Sequence, residues 1–234
     1  MELTPEISSF SVLLIGFVLG LQHAIEADHL AAVSTIVSEK KSLWTASVVG
    51  GMWGLGHTVS LFAVGALVIF LKVQISETLE VKLEAIVGAM LIVLGLDALR
   101  KLITAEKIHA HAHEHGEREH VHIHLHRDET AEESHHRFSP RSVAIGMVHG
   151  LAGSAALMLL VVPTIPSPAL AMVYIVVFGI GSIGGMMLMS FLIGLPLHFT
   201  ASRFAIANKG IRLAAGVFSL TLGAYIVYEK LIVG

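Results

Sequence analysis

Two imidazoles and two carboxylates fall within seven residues, at His23, Glu26, Asp28 and His29. Such a borderline-to-hard donor set suits a divalent transition-metal ion. The cluster sits in an apolar run, Phe10 to Val37, with no other ionisable side chain. A charged group at the centre of a bilayer costs roughly 2.5 to 3.5 kcal/mol on insertion scales, so a cluster there points to function. On a regular helix at about 100° per residue, His23, Glu26 and His29 share one stripe while Asp28 lies roughly 140° from His23. Either the helix is distorted at the cluster, as where transporter backbone lines a cavity, or Glu26 is the carboxylate on the metal and Asp28 supports from behind. The distortion is the favoured reading.

Further donors lie in other apolar stretches. His57 follows Gly50, Gly51, Gly54 and Gly56, and small residues let helices approach closely in a membrane. The glycines would bring His57 against the first span, unless it serves a packing interface by bonding a backbone carbonyl. Asp97, beside Arg100 and Lys101, reads as a local ion pair. Met186, Met187 and Met189 read as flexible packing in preference to a soft-metal site.

The elements that must hold these residues are membrane helices. The 234-residue chain is 54% hydrophobic and 14% charged, with a mean hydropathy of +0.77, outside the range of soluble domains. Stretches of bilayer-crossing length, about 20 residues, fall near 8–37, 44–71, 83–103, 141–163, 168–198 and 210–233. The predicted fold is all-α and polytopic, with six transmembrane helices. There is no cysteine, which removes disulfides, thiolate metal sites and a cysteine nucleophile. Met1 to Ser9 carries Glu2 and Glu6 and no basic residue, so no cleavable signal peptide is expected. Twelve Lys and Arg fall on one side of the six-span arrangement, against Lys72, Lys82 and Lys230 on the other. The positive-inside rule then puts both termini outside.

Between Thr104 and Ser139 lie ten of the fifteen histidines, from His109 to His136. His120, His122 and His124 alternate with Val121 and Ile123, so an extended strand would place imidazoles on one face and aliphatic groups on the other. Histidine-rich tracts are compositional metal-binding signals, and capture or buffering of metal in the cytoplasm is expected here. The predicted division is 1–103 and 140–234 as two three-helix membrane repeats around a 104–139 cytoplasmic loop. At an offset of 126, Gly146 matches Gly20, His149 matches His23 and Ser154 matches Asp28. At 128, Gly216 and Gly223 match Gly88 and Gly95, and Gly184 matches Gly56. Two repeats of three spans run in opposite directions, the inverted-repeat plan of many secondary transporters, with the site near the midplane at the repeat interface. His149 becomes a candidate ligand across the pseudo-symmetry axis.

His23-Ala24-Ile25-Glu26-Ala27-Asp28-His29 resembles the His-x4-Asp-His signature of the nickel/cobalt transporter family, and Leu55-Gly56-His57-Thr58 its second, Leu-Gly-His-Ser/Thr motif. The resemblance implies recognition of Ni(II) or Co(II) by His23, Asp28 and His29, supported by His57. Gln22 stands where the family commonly has Arg, and Glu26 where it has Asp. With six spans the chain is more similar to the short urease-accessory-type members. The expected function is a secondary transporter of Ni(II) or Co(II) across the cytoplasmic (inner) membrane, in the uptake direction. Its metal residues would be His23, Asp28, His29, Glu26, His57 and His149. No Walker-type phosphate loop is present, no catalytic residue or bound cofactor is expected, and the ion is the substrate. Two rivals are an exporter that collects metal on the histidine-rich loop and an intramembrane metalloenzyme whose metal activates water. Expected partners are the divalent ion, the lipid bilayer, a second copy in a homo-oligomer and a cytoplasmic metallochaperone, with no nucleic acid.

Overall fold

A computed structural model describes residues 9–40, 42–72, 76–104, 109–114, 119–124, 140–152, 162–165, 167–201 and 203–233. Its body is helical: α1 Ser9–His23, α2 Ala27–Val37, α3 Leu43–Leu71, α4 Glu77–Thr104, α5 Pro140–Ala152, α6 Pro168–Ala201 and α7 Ala205–Tyr228. A ribbon of β1 (His109–Glu114) and β2 (Glu119–His124) lies between α4 and α5 in sequence. Ser154 and the rest of 153–161, together with His115, His126, His135 and His136, lie outside the described residues.

The protein is an all-α membrane protein. Among the described residues, α3, α6 and the segment Ala205–Val233 are each long and apolar enough to cross a bilayer, and α1 with α2 makes a fourth, bent by 55°. The uncharged stretch of α4 runs only from Ala85 to Leu96, between Glu84 and Asp97. Both acids are paired. Glu84 meets Lys230 at 2.6 Å, and Asp97 meets Lys101 at 3.0 Å and Arg141 at 2.9 Å. Asp97 is thus an ion-pair residue as the sequence suggested, but its second cation comes from α5 and not from adjacent Arg100. Lys101 also reaches Glu39, just beyond α2, at 2.7 Å. This chain of charges ties the ends of α2, α4 and α5 together beside a cavity of about 60 Å³.

Helix packing runs through glycines. α3 lies between α5 and α6, α1 packs on α6, and α4 packs on α7. A Cβ built on Gly20 would strike the Phe178 carbonyl, and one on Gly181 the Phe17 carbonyl. The α3–α5 crossing repeats the pattern, with Gly146 against the Trp53 carbonyl and Gly56 against that of Val143. Between α4 and α7, Gly88 would meet the Gly223 carbonyl at 2.9 Å and Gly223 that of Gly88 at 2.5 Å. Gly184, the sequence-level match to Gly56, has open space beside it; Gly181 takes the equivalent crossing. Met186 and Met187 lie against Gly54 and Gly51, the flexible packing expected of them. A ring of outward apolar side chains, including Leu14, Phe62, Ile86 and Val217, faces away from the core, as a lipid-facing surface requires.

Candidate metal centre

The first span breaks at its polar cluster. α1 ends at His23, and Glu26 adopts an extended conformation (φ −63°, ψ 151°) as the residue capping α2. The Ile25 amide bonds the Gln22 carbonyl at 3.0 Å and the Glu26 amide bonds that of His23 at 3.1 Å, so the helical ladder is replaced by tight turns here. The break leaves His29, now in the first turn of α2, with its ring 4.3 Å from that of His23, while Asp28 turns to His29 and His149 and shares no three-residue donor set with His23. A carboxylate in a first helical turn is also favoured by the helix dipole.

Four histidines converge on the break. Ring centroids lie 4.3 Å apart for His23 and His29, 4.2 Å for His29 and His149, 5.2 Å for His23 and His57, and 5.3 Å for His29 and His57. All four are completely or almost completely buried. The glycines of α3 do not meet the first span as the sequence suggested: Gly50, Gly51 and Gly54 face α6 and Gly56 faces α5, where Gly150 sits against the His57 backbone, which brings His57 and His149 to the same point. Trp53 closes one side, 5.2 Å from His29 and 5.3 Å from His149. Phe178 closes another, 5.6 Å from His23. These two aromatics were not singled out as site residues, and nothing in their local sequence separates them from core.

The carboxylates have distinct roles. Asp28 Oδ1 accepts from the His29 amide at 2.8 Å and lies 3.0 Å from His29 Nδ1, while Oδ2 lies 3.1 Å from His149 Nε2. Glu26 Oε1 lies 2.8 Å from His23 Nδ1. Glu26 has a side chain 39% exposed, against 19% for Asp28, so it stands at the rim while Asp28 lies inside. In each of His23, His29 and His149, a carboxylate holds one ring nitrogen. The other, His23 Nε2, His29 Nε2 and His149 Nδ1, is buried with no protein partner. Carboxylates that fix one imidazole nitrogen and leave the other to a metal are the usual support around histidine ligands.

Two overlapping three-residue sets bring their donor atoms within 4.8 Å of one another: His23, His29 and His57, and Asp28, His29 and His149. His29 belongs to both. All six residues expected from the sequence therefore gather in one place, five as members of these sets and Glu26 through its contact with His23.

Comparison with known proteins agrees with this chemistry. The family of high-affinity nickel-transport proteins matches residues 9–234. A urease accessory protein, UreH, from Bacillus sp. (strain TB-90) is 37% identical over 239 residues, covering 96% of this chain and 93% of that protein. The chloroplast protein FOR GROWTH AND FERTILITY 2 of Arabidopsis thaliana is 24% identical, covering 92% of this chain and 55% of that protein. Its counterpart FOR GROWTH AND FERTILITY 1 is 25% identical, covering 72% and 45%. No solved structure matches the chain. A buried cluster of histidines in a helical membrane body and a match spanning nearly the whole chain lead to one assignment: the protein belongs to the high-affinity nickel-transport protein family, a family of transporters and not of enzymes.

Proposed function

We propose that this chain is a secondary transporter that carries Ni(II), and Co(II) with it, inward across the cytoplasmic membrane through the histidine centre at the broken first span. The observation that carries this reading is the set of buried imidazole nitrogens without partners on His23, His29 and His149. A buried polar atom left unsatisfied costs about 1 to 3 kcal/mol, and three such atoms on histidines gathered at one helix break are accounted for by an ion that binds there in transit. Charge supports the same reading. Two carboxylates, Glu26 and Asp28, match the charge of one divalent ion while the imidazoles stay neutral. That avoids leaving an uncompensated charge in a low-dielectric interior.

The ion meets Glu26 at the rim, displaces it from His23, and passes to the donors around His29. There Asp28 either ligates the ion or orients His29 and His149 toward it. Because His29 belongs to both donor sets, an ion can shift from the His23 and His57 side to the Asp28 and His149 side without losing every ligand. Protonation of the imidazoles, with an unperturbed pKa of about 6.5, competes with the ion and couples release to pH; pH-independent flux would remove that coupling. The Glu39–Lys101–Asp97–Arg141 chain bars the way at the far end of α2, which the positive-inside rule makes the cytoplasmic end.

The six-span topology of two inverted repeats, 1–103 and 140–234, belongs to the same reading. It is supported by the reciprocal glycine crossings, in which the α1–α6 contact recurs as α5–α3. His149 then stands in the second repeat where His23 stands in the first. Delivery to a metallochaperone and self-association are further parts of the reading.

The test is accumulation of radioactive nickel and cobalt in cells expressing wild type, His23→Ala, Asp28→Asn or a chain lacking 104–139. Uptake predicts raised accumulation that both point variants abolish and the deletion only dampens. Lowered accumulation would mean export, with the loop collecting metal for removal.

A further inference from the structure

Two buried hydroxyls of α6 differ from others in the helical body. A serine or threonine inside a helix commonly donates to a carbonyl one turn back, as Thr35 does to Ala32, and others donate across a crossing, as Thr58 does to Gly179 and Ser219 to Leu91. Ser182 and Ser190 are wholly buried, and the Oγ of each has no partner among the described residues. Packing accounts for Ser190: a Cβ built on Gly50 would strike its Oγ, so the hydroxyl fills the gap that glycine leaves between α3 and α6. Ser182 lies at a different crossing.

Its place follows from a contact pattern that occurs twice. Between α5 and α3, Gly146 lies against the Trp53 carbonyl, and Gly56 against the Val143 carbonyl and, at 3.1 Å, the Met147 amide nitrogen. Between α1 and α6, Gly20 lies against the Phe178 carbonyl, and Gly181 against the Phe17 carbonyl and, at 3.2 Å, the Leu21 amide nitrogen. The two crossings superpose residue by residue, with Gly20 on Gly146 and Gly181 on Gly56. His23 then corresponds to His149, Phe178 to Trp53 and Ser182 to His57. The rings agree with this mapping, since Trp53 lies 5.3 Å from His149 and Phe178 lies 5.6 Å from His23. One turn beyond Trp53, His57 stands 5.9 Å from His149. Ser182 is one turn beyond Phe178 on the same helix face, and its amide nitrogen is 3.0 Å from the Cβ position of Gly20. It therefore stands to His23 as His57 stands to His149.

We infer that Ser182 is a further ligand of the ion, a neutral oxygen donor that α6 supplies to the side of the centre formed by His23, His29 and His57. One occupant then satisfies two buried atoms that lack a partner, Ser182 Oγ and His23 Nε2. A hydroxyl is the side-chain group closest in chemistry to the water that a hydrated ion sheds, and oxygen donors of this kind are harder than imidazole. Being uncharged, it adds a bond without disturbing the match between two carboxylates and one divalent ion, and it lets the ion go readily. The inference rests on the reading of this centre as the transport site.

The experiment adds cobalt(II) to the full chain in detergent. The chain has no cysteine, so Ser182→Cys introduces a single thiol of nearly the same shape, and a thiolate that ligates cobalt gives an ultraviolet charge-transfer band characteristic of the metal–sulfur bond. The band is expected in Ser182→Cys, and it should vanish when His29→Ala is added. Ser190→Cys should not show it. In equilibrium dialysis, the cobalt that the wild type holds and His29→Ala loses should bind severalfold more weakly in Ser182→Ala and with unchanged affinity in Ser190→Ala. Cobalt held at the centre of Ser182→Cys without the band, or an equal band from Ser190→Cys, would overturn the assignment of Ser182 and leave the centre standing. Equal cobalt uptake by the wild type and His29→Ala would overturn the centre, and this inference with it.

Discussion

The molecule carries two populations of histidine that share a chemistry and differ in everything that positions them. In the centre, His23, His29, His57 and His149 come from four helices and are held by backbone crossings at Gly20, Gly56, Gly146 and Gly150, by Trp53 and Phe178, and by two carboxylates. In the ribbon, His109 to His124 come from adjacent strands held by their own register. The first arrangement is set by packing between helices distant in sequence, whereas the second rests on the pairing of two short strands, which is marginal on its own in water.

The sharpest way to break the contrast is to disturb the carboxylate that serves two histidines. Asp28→Asn should weaken nickel binding in a chain lacking 105–139 by about 10- to 100-fold, the usual cost of losing a carboxylate behind metal-bound histidines, as read by titration calorimetry. A loss under twofold would detach Asp28 from the centre. Next comes the backbone frame. Gly20→Val should destabilise the detergent-solubilised protein by about 1 to 3 kcal/mol, the cost of overpacking, because its Cβ would strike the Phe178 carbonyl. Gly184→Val, with open space beside it, is the matched control and should leave the thermal midpoint close to wild type.

Smaller effects follow at the edges. Glu26→Gln should raise the nickel concentration for half-maximal transport severalfold with little change in maximal rate, as measured by initial uptake, since the Glu26 carboxylate pairs with His23 and stands at the rim. Lys101→Ala should cost about 0 to 1 kcal/mol in thermal unfolding, the ordinary worth of partly exposed ion pairs. Its two partners, Glu39 and Asp97, face solvent enough to rehydrate.

What the sequence revealed depended on how local the signal was. The alternation from His120 to His124 is a period-two pattern, and it describes a strand; the register to β1 lies in no local pattern. The position of Asp28, off the stripe that His23, Glu26 and His29 share on a regular helix, pointed to a distortion, and the helix breaks at Ala24–Glu26. It could not show that Glu26 would turn outward as the cap of α2, because that depends on which face α6 and α3 leave open. His149 came to notice through a glycine three residues before it, the same spacing as Gly20 to His23. The glycine match for α3 was displaced, Gly184 for Gly181, because glycine-rich helices align in several ways until crossings choose one. Trp53 and Phe178 look like any buried aromatic until the histidines beside them are seen. The second partner of Asp97 was missed for a similar reason: Lys101 lies nearby in sequence, but Arg141 is remote and no local spacing marks it.

The central claim is that nickel crosses through the donors around His29, which both three-residue sets share. The most direct test is radioactive nickel flux into proteoliposomes made with purified protein lacking 105–139, comparing an intact centre with His29→Ala. The account predicts saturable entry with the centre intact and a fall to the level of protein-free vesicles in the variant. His29→Ala protein that is folded, correctly inserted and still carries nickel at the unaltered rate would contradict it.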